Sequence, residues 1–465
     1  MGGSFSVLPE NAVSREIRYC CNMESCLSGV HEPTTSKVRT ETTMNTAPRS
    51  GHSSIKRLSS RRFSEVDLGA LHDTLPEHCQ VWCSPKDFNG HLLSRSVKRP
   101  LATLATAALR KVIAELGLSS TKFQNFAQSV ENAMPDNNYH NSVHVLDVLQ
   151  LMFWQTCDEG PLERICRDPV VKLSALLAAL VHDLEHPGVN NTFLRSSDHP
   201  IVSKFGMESP SEHMHVSAFK NMLADPDINF LEGFQSSDHA RVMDLVERTV
   251  LATDMSKHLT LVNAIMPIDD EHALRLRLAL GMKIADLSHC VRNFRAHYVF
   301  VDMLKEEFYA QGDKERALNL SVSDGMDRME SYATVAGAQV NFLSLFIAPL
   351  FERWVEHNPT CFAAKELLIL LQWNIQTWGL LAVKPAGPDY DDEPTRRPRR
   401  STVHCLTPEA RRQVLGMKSF SMVARSYGIE YEIQDIDSVL KELDAARTLS
   451  RKPLNGEPRR NSNAV

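Results

Sequence analysis

From Trp82 to about Val383, apolar residues recur three and four positions apart, as in Leu101–Leu116 and Val170–Leu180, and strand-like alternation is nearly absent. Such a pattern lays one apolar stripe along a helix and does not suit a pleated sheet, so the expected fold class is all-α. Helix-start chemistry points the same way. Ser119-Ser120-Thr121 precedes Phe123, Asp168-Pro169 precedes Val170, and Ser211-Glu212 precedes Val216; side-chain oxygens there satisfy the first free amides of a helix. No repeat recurs at a fixed period, which argues against a solenoid.

The flanks differ from this core. Residues 1–78 are rich in Ser, Thr, Arg and turn formers and read as a disordered anchoring and regulatory tail. Residues 79–383 form the expected compact multi-helix domain. Residues 384–465 begin with a Pro-, Asp- and Arg-dense linker and continue into a shorter helical piece from Thr407 to about Leu449. The most apolar stretch, Leu367–Val383, carries Gln372, Asn374 and Gln376 at its middle and is expected to be a buried core helix, not a membrane span. A net charge of −6 gives no global pull toward nucleic acid. The ten cysteines form no CxxC pair and no secretory apolar segment opens the chain, so reduced thiols in the cytoplasm are expected.

One set of polar residues stands out within the helical region: His140 and His144, then His182-Asp183 with His186, and far downstream Asp286. Histidines four apart share one face if the segment is helical, so each pair can reach one small site. Two such pairs with an adjoining carboxylate point to a metal centre. Imidazoles and carboxylates suit Zn2+, and a second ion with more oxygen and water ligands would be Mg2+ or Mn2+. A bland alternative, His182 and Asp183 satisfying one another inside a helix, would bury ionisable groups among apolar neighbours at a cost of several kcal/mol.

Five ordered segments carry a resemblance: Tyr139-His140-Asn141-x-x-His144, His182-Asp183-x-x-His186-Pro187-Gly188-x-x-Asn191, Thr253-Asp254-Met255-Ser256-x-His258, Ala285-Asp286-Leu287-Ser288 and Gln339-Val340-x-Phe342. Over about residues 80–380 the chain resembles the catalytic domain of class I 3′,5′-cyclic-nucleotide phosphodiesterases, which have an HD-type metal site. The resemblance implies hydrolysis of cAMP, and of cGMP as well, to the 5′-monophosphate. It implies that His144, His182, Asp183 and Asp286 hold the tighter metal, with Asp183 bridging to the second ion. His186, Glu212 and Thr253 would hold that ion's waters, and His140 would protonate the leaving O3′. Tyr139, Met255, His289, Leu304, Gln339 and Phe342 fall at substrate positions, with Gln339 hydrogen-bonding the purine and Phe342 and Leu304 clamping its faces. Two departures stand out. His289-Cys290 replaces the Asn-Pro of many relatives, and Glu212-His213-Met214-His215 has methionine where a histidine is usual. Another His-Asp metal phosphohydrolase and a membrane-tethered scaffold with a dead site are the alternatives. Gln339-Val340-x-Phe342 disfavours the first, and the intact ligand set disfavours the second.

The tails carry short signals of their own. Met1-Gly2-Gly3-Ser4-Phe5-Ser6 fits N-myristoylation at Gly2, and Cys20 and Cys21 are palmitoylation candidates. A single acyl chain binds membranes only marginally, so peripheral attachment needs that second signal or a basic patch. Ser59, Ser64 and Ser462 each follow a pair of basic residues in patterns resembling cAMP-dependent protein kinase sites, a feedback partner suited to an enzyme that removes cAMP.

Overall fold

The computed structural model describes residues 67–267, 270–328 and 333–383. Among them every regular element is helical, and together they build one main hydrophobic core with two small clusters beside it. At its centre runs the helix Pro169–Val181, in which only Pro169 and Lys172 escape burial. A helix apolar on all sides has to be enclosed by others. The helices Pro100–Glu115, Ser142–Gln155, Ser236–Leu251 and Asp270–Asp286 pack around it. Its start follows from local chemistry: Asp168 accepts from the amides of Val170 and Val171, and Pro169 occupies the first helical turn. Its end delivers His182 and Asp183 out of the middle of the core.

Three expectations need correction. The helical body begins before residue 79: Asp67 caps a short helix, Leu68–Asp73, which packs on Pro100–Glu115 and buries Leu68 and His72. The helix expected to open at Ser211 opens at Pro210, because the proline takes the first turn. Ser209, in a left-handed conformation at φ 45°, precedes it, and its hydroxyl donates to Asp254 at 2.7 Å. Finally, neither histidine pair shares a helix. Asn141 caps the helix Ser142–Gln155, so His140 lies outside it, and the helix Pro169–Val181 stops at His182, so His186 lies in the following turn.

The stretch Leu367–Val383 forms most of the helix Phe362–Val383 and is a core element as expected, with Leu367, Leu371, Ile375 and Trp378 buried. Asn374, one of its central polar residues, is fully buried and donates to the carbonyls of Cys290 and Arg292. The proposed lipidation positions Gly2, Cys20 and Cys21, the serines Ser59, Ser64 and Ser462, and the C-terminal extension lie outside the described residues.

The most consequential polar contact in the core belongs to Arg292, whose side chain is fully buried. Its guanidinium donates to both carboxylate oxygens and the carbonyl of Asp147, to Gln150 Oε1 at 2.7 Å and to the Pro85 carbonyl. Asp147 also accepts from Ser288 at 2.6 Å. Removing one partner of a buried pair strands the other charge. Arg292→Met is therefore expected to lower unfolding free energy by about 3–5 kcal/mol, and adding Asp147→Leu to recover part of the loss. Chemical denaturation of the single and double variants measures both effects.

Candidate metal centre and its acid

Four of the expected ligands meet at one point. His144 Nε2 lies 3.3 Å from Asp183 Oδ2 and 3.3 Å from Asp286 Oδ1, and His182 Nε2 lies 3.3 and 3.4 Å from the same two atoms. The two imidazole nitrogens are 3.4 Å apart. His182 Nδ1–H donates to the Ala179 carbonyl at 3.0 Å, which leaves a lone pair on Nε2 facing the carboxylates. Asp183 Oδ2 is buried without a hydrogen-bond partner. Converging lone pairs around an orphaned buried carboxylate oxygen are what a cation would satisfy, so the residues fit a divalent ion. Burial opposes charge on His182, but Asp183 and Asp286 outweigh it and hold the imidazole well above its usual range, so a cation binding at Nε2 has to displace a proton there. Against the same burial, the facing imidazoles hold both carboxylates below theirs.

His140 stands apart from this set. Its Nδ1–H donates to Glu307 Oε1 at 2.5 Å, while Glu307 Oε2 accepts from the amides of Tyr139 and His140. Burial alone would lower the His140 pKa, but the carboxylates of Glu307 and Asp183 prevail and push it up to about 9. Glu307, raised by burial but depressed more by His140, falls to about 2. The result is an imidazolium held in place at neutral pH. It stacks on His186 at 3.9 Å between centroids, and burial, followed by the charge of His140, keeps His186 neutral.

Loop chemistry places these two histidines. Asn137 Nδ2 donates to the carbonyls of both His140 and His186, tying the two turns together. The clasp needs Gly188: at φ 67° a Cβ there would sit 2.7 Å from Asn137 Oδ1.

The remaining expected residues are less tightly gathered. Glu212 is buried and accepts from Asn191 Nδ2. Burial, helped by Asp254, raises its pKa to about 7. Thr253 is buried and its hydroxyl donates to the Val250 carbonyl. The sulfur of Met255 accepts from buried Lys283 at 3.2 Å. Tyr139 and Leu304 share a small cluster with Val143 and Phe300, whereas Phe342 packs on the main core, so the two clamp residues do not share a cluster. Gln339 is half-buried, one turn before Phe342.

His289 is buried and its polar edge is already committed. Trp378 Nε1–H donates to His297 Nε2 at 2.8 Å, so His297 carries its proton on Nδ1 and donates it to His289 Nδ1 at 3.0 Å. Nε2–H of His289 in turn faces Cys290 Sγ at 3.7 Å, so both ring nitrogens have partners within the protein.

Two site residues went unnoticed in the sequence. Glu307 is in helical phase with Phe300, Leu304 and Gln311, so an acid in an inward-facing stripe was the available signal. His215, within the altered Glu212–His215 segment, donates from Nδ1 to the Leu184 carbonyl and lies with Nε2 3.8 Å from Asp183 Oδ1.

Fold and site together define a class: an all-helical protein with a His/Asp cluster suited to metal beside a carboxylate-paired histidine. Residues 139–366 match the sequence model of the 3′5′-cyclic nucleotide phosphodiesterases, and the helical domain that contains them belongs to that family. A Drosophila melanogaster 3′,5′-cyclic-AMP phosphodiesterase, isoform F, is 29% identical over 281 residues, which are 56% of this chain and 41% of the fly protein. A Mus musculus dual specificity calcium/calmodulin-dependent 3′,5′-cyclic nucleotide phosphodiesterase 1B is 28% identical, over 64% of this chain and 56% of the mouse protein. Among solved structures, LmjPDEB1 in complex with IBMX superposes with a TM-score of 0.60 at 23% identity, covering 68% of this chain and 97% of that one. The phosphodiesterase domain of the RhoPDE fusion protein from the choanoflagellate Salpingoeca rosetta gives 0.58 at 21%, with 68% and 98% covered. The family implies dependence on divalent metal, and the cluster suits it.

The separation of the two histidine sets predicts a separation of effects. Asp183→Ala is expected to reduce bound metal strongly, and His140→Ala to leave it near the wild-type level. Elemental analysis of the purified variants checks both.

Proposed function

We propose that this chain hydrolyses 3′,5′-cyclic AMP, and cyclic GMP as well, to the 5′-monophosphate. The observation that carries the reading is the His140–Glu307 pair beside the His144, His182, Asp183 and Asp286 cluster. His144, His182, Asp183 and Asp286 would hold Zn2+, and Asp183, with His186, Glu212 and Thr253 around it, would serve a second ion, Mg2+ or Mn2+. When bound, such a pair lowers the pKa of water and offsets the charge on the phosphoryl oxygens.

The residues of the chain account for the rest. Water adds to phosphorus in line with the P–O3′ bond, and that bond breaks with its electron pair on O3′. His140 gives its Nε2 proton to O3′, and the water's surplus proton leaves to solvent. Glu307 keeps His140 protonated and turned so that Nε2 is free for the substrate. Phe342 and Leu304 offer apolar contact to the purine, and the Gln339 amide offers polar contact to its edge. Turnover of both nucleotides by the full chain, abolished by chelator and restored by metal, is the expected result. No hydrolysis of either by the metal-loaded protein would refute the proposal. His140→Ala should lower the rate by about 10²–10⁴-fold, the usual worth of a general acid.

The pH profile tests the pairing. His140 must be protonated to act, and its raised pKa keeps it so until pH rises through about 9. Glu307→Gln removes the main anion that favours the imidazolium, so the alkaline limb of kcat/KM is expected to move to lower pH by roughly 1–2 units. An unmoved limb would assign it to another group.

A further inference from the structure

The helical stretch Val335–His357 runs through Pro349, which lacks an amide hydrogen and whose ring would clash with the carbonyl four residues earlier, that of Leu345. The chain accommodates the proline with a π-helical turn over Phe342–Ile347, in which the Ala348 amide reaches back five residues to the Leu343 carbonyl. Phe342, at the purine position, is the first residue of that turn.

A residue from another part of the chain braces it. His258 is fully buried, its Nε2–H donates to the Phe346 carbonyl at 3.0 Å, and its ring stacks on the Phe346 ring at 3.8 Å and 15°. Phe346 in turn lies at 5.7 Å and 20° from Phe342. Three nearly parallel rings thus run from His258 to the purine position. A phenyl ring would stack in the place of His258 as well and would bury no polar atoms. What the imidazole adds is the hydrogen bond to a carbonyl inside the π-turn. His258 is itself held, since it lies five residues after Thr253, whose carbonyl accepts from buried Lys283 at 2.5 Å.

We propose that His258 is a positioning residue that sets the register of the π-turn and so the place at which Phe342 meets the purine. This rests on the phosphodiesterase reading given above. A group acting this way governs how tightly the nucleotide is held and leaves the phosphoryl chemistry untouched.

The test compares His258→Phe, which keeps the stack and loses the donor, with His258→Gln, which keeps an amide donor, in the full-length protein. For His258→Phe, the KM for cyclic AMP is expected to rise by about 5–50-fold, the worth of one buried hydrogen bond. Its kcat should stay within about 3-fold and its metal content should be unchanged. Amide hydrogen exchange over residues 342–351 should accelerate by about 10-fold, and His258→Gln should restore most of the KM. A fall in kcat at constant KM, or unchanged KM and unchanged exchange, would overturn the proposal. Because exchange needs no turnover, an inactive wild-type protein would sink the phosphodiesterase reading alone, and unaltered exchange in His258→Phe would sink this inference alone.

Discussion

The buried guanidinium of Arg292 is the contact on which the metal centre depends. It binds Asp147, which lies three residues beyond His144 on the same helix, and Asp147 also takes the hydroxyl of Ser288, two residues beyond Asp286. The contact therefore joins the helix that supplies one ligand to the turn that follows another. Asn374 anchors that turn from a third side through the carbonyls of Cys290 and Arg292. Arginine suits the task because its rigid fork can serve several acceptors at once, which a lysine ammonium on a flexible stem does less well.

Such scaffolding is needed because the centre opposes burial. Two carboxylates and two imidazoles are held 3.3–3.4 Å apart in the interior, where ionised groups are costly without a counter-charge. The surrounding helices supply the rigidity, and the central helix ends where His182 and Asp183 begin. His140 is supported separately, by Glu307 from the helix Phe294–Ala317 and by the asparagine clasp between two turns. The His144 cluster and the His140–Glu307 pair thus rest on different elements, although His140 and His144 are only four residues apart.

Much of this could be read in the sequence because it is local. Apolar spacing located Pro100–Glu115 and Pro169–Val181 within a residue or so, and Asp168-Pro169 marked a true helix start. The candidate ligands His144, His182, Asp183 and Asp286 were singled out by type and order, and the structure brings all four together. The reason first given for their pairing was incomplete. Four-residue spacing suggested shared helix faces, but Asn141 starts one helix after His140 and His182 ends the other before His186. What was missed depends on distant contacts: Glu307 meets His140 across 167 positions, and His289 loses its acceptor to His297 and Trp378. No window of neighbouring residues contains those partners.

The carboxyl of Glu212 has a thermodynamic consequence. Buried beside Asp254 and holding Asn191, it has a pKa of about 7, so at neutral pH it is divided between its acid and anionic forms. A cation settling near it would compete with that proton, and its uptake would release acid to the medium in an amount that falls as pH rises. Protonation of Glu212 would therefore oppose a cation at its carboxylate increasingly as pH falls through about 7.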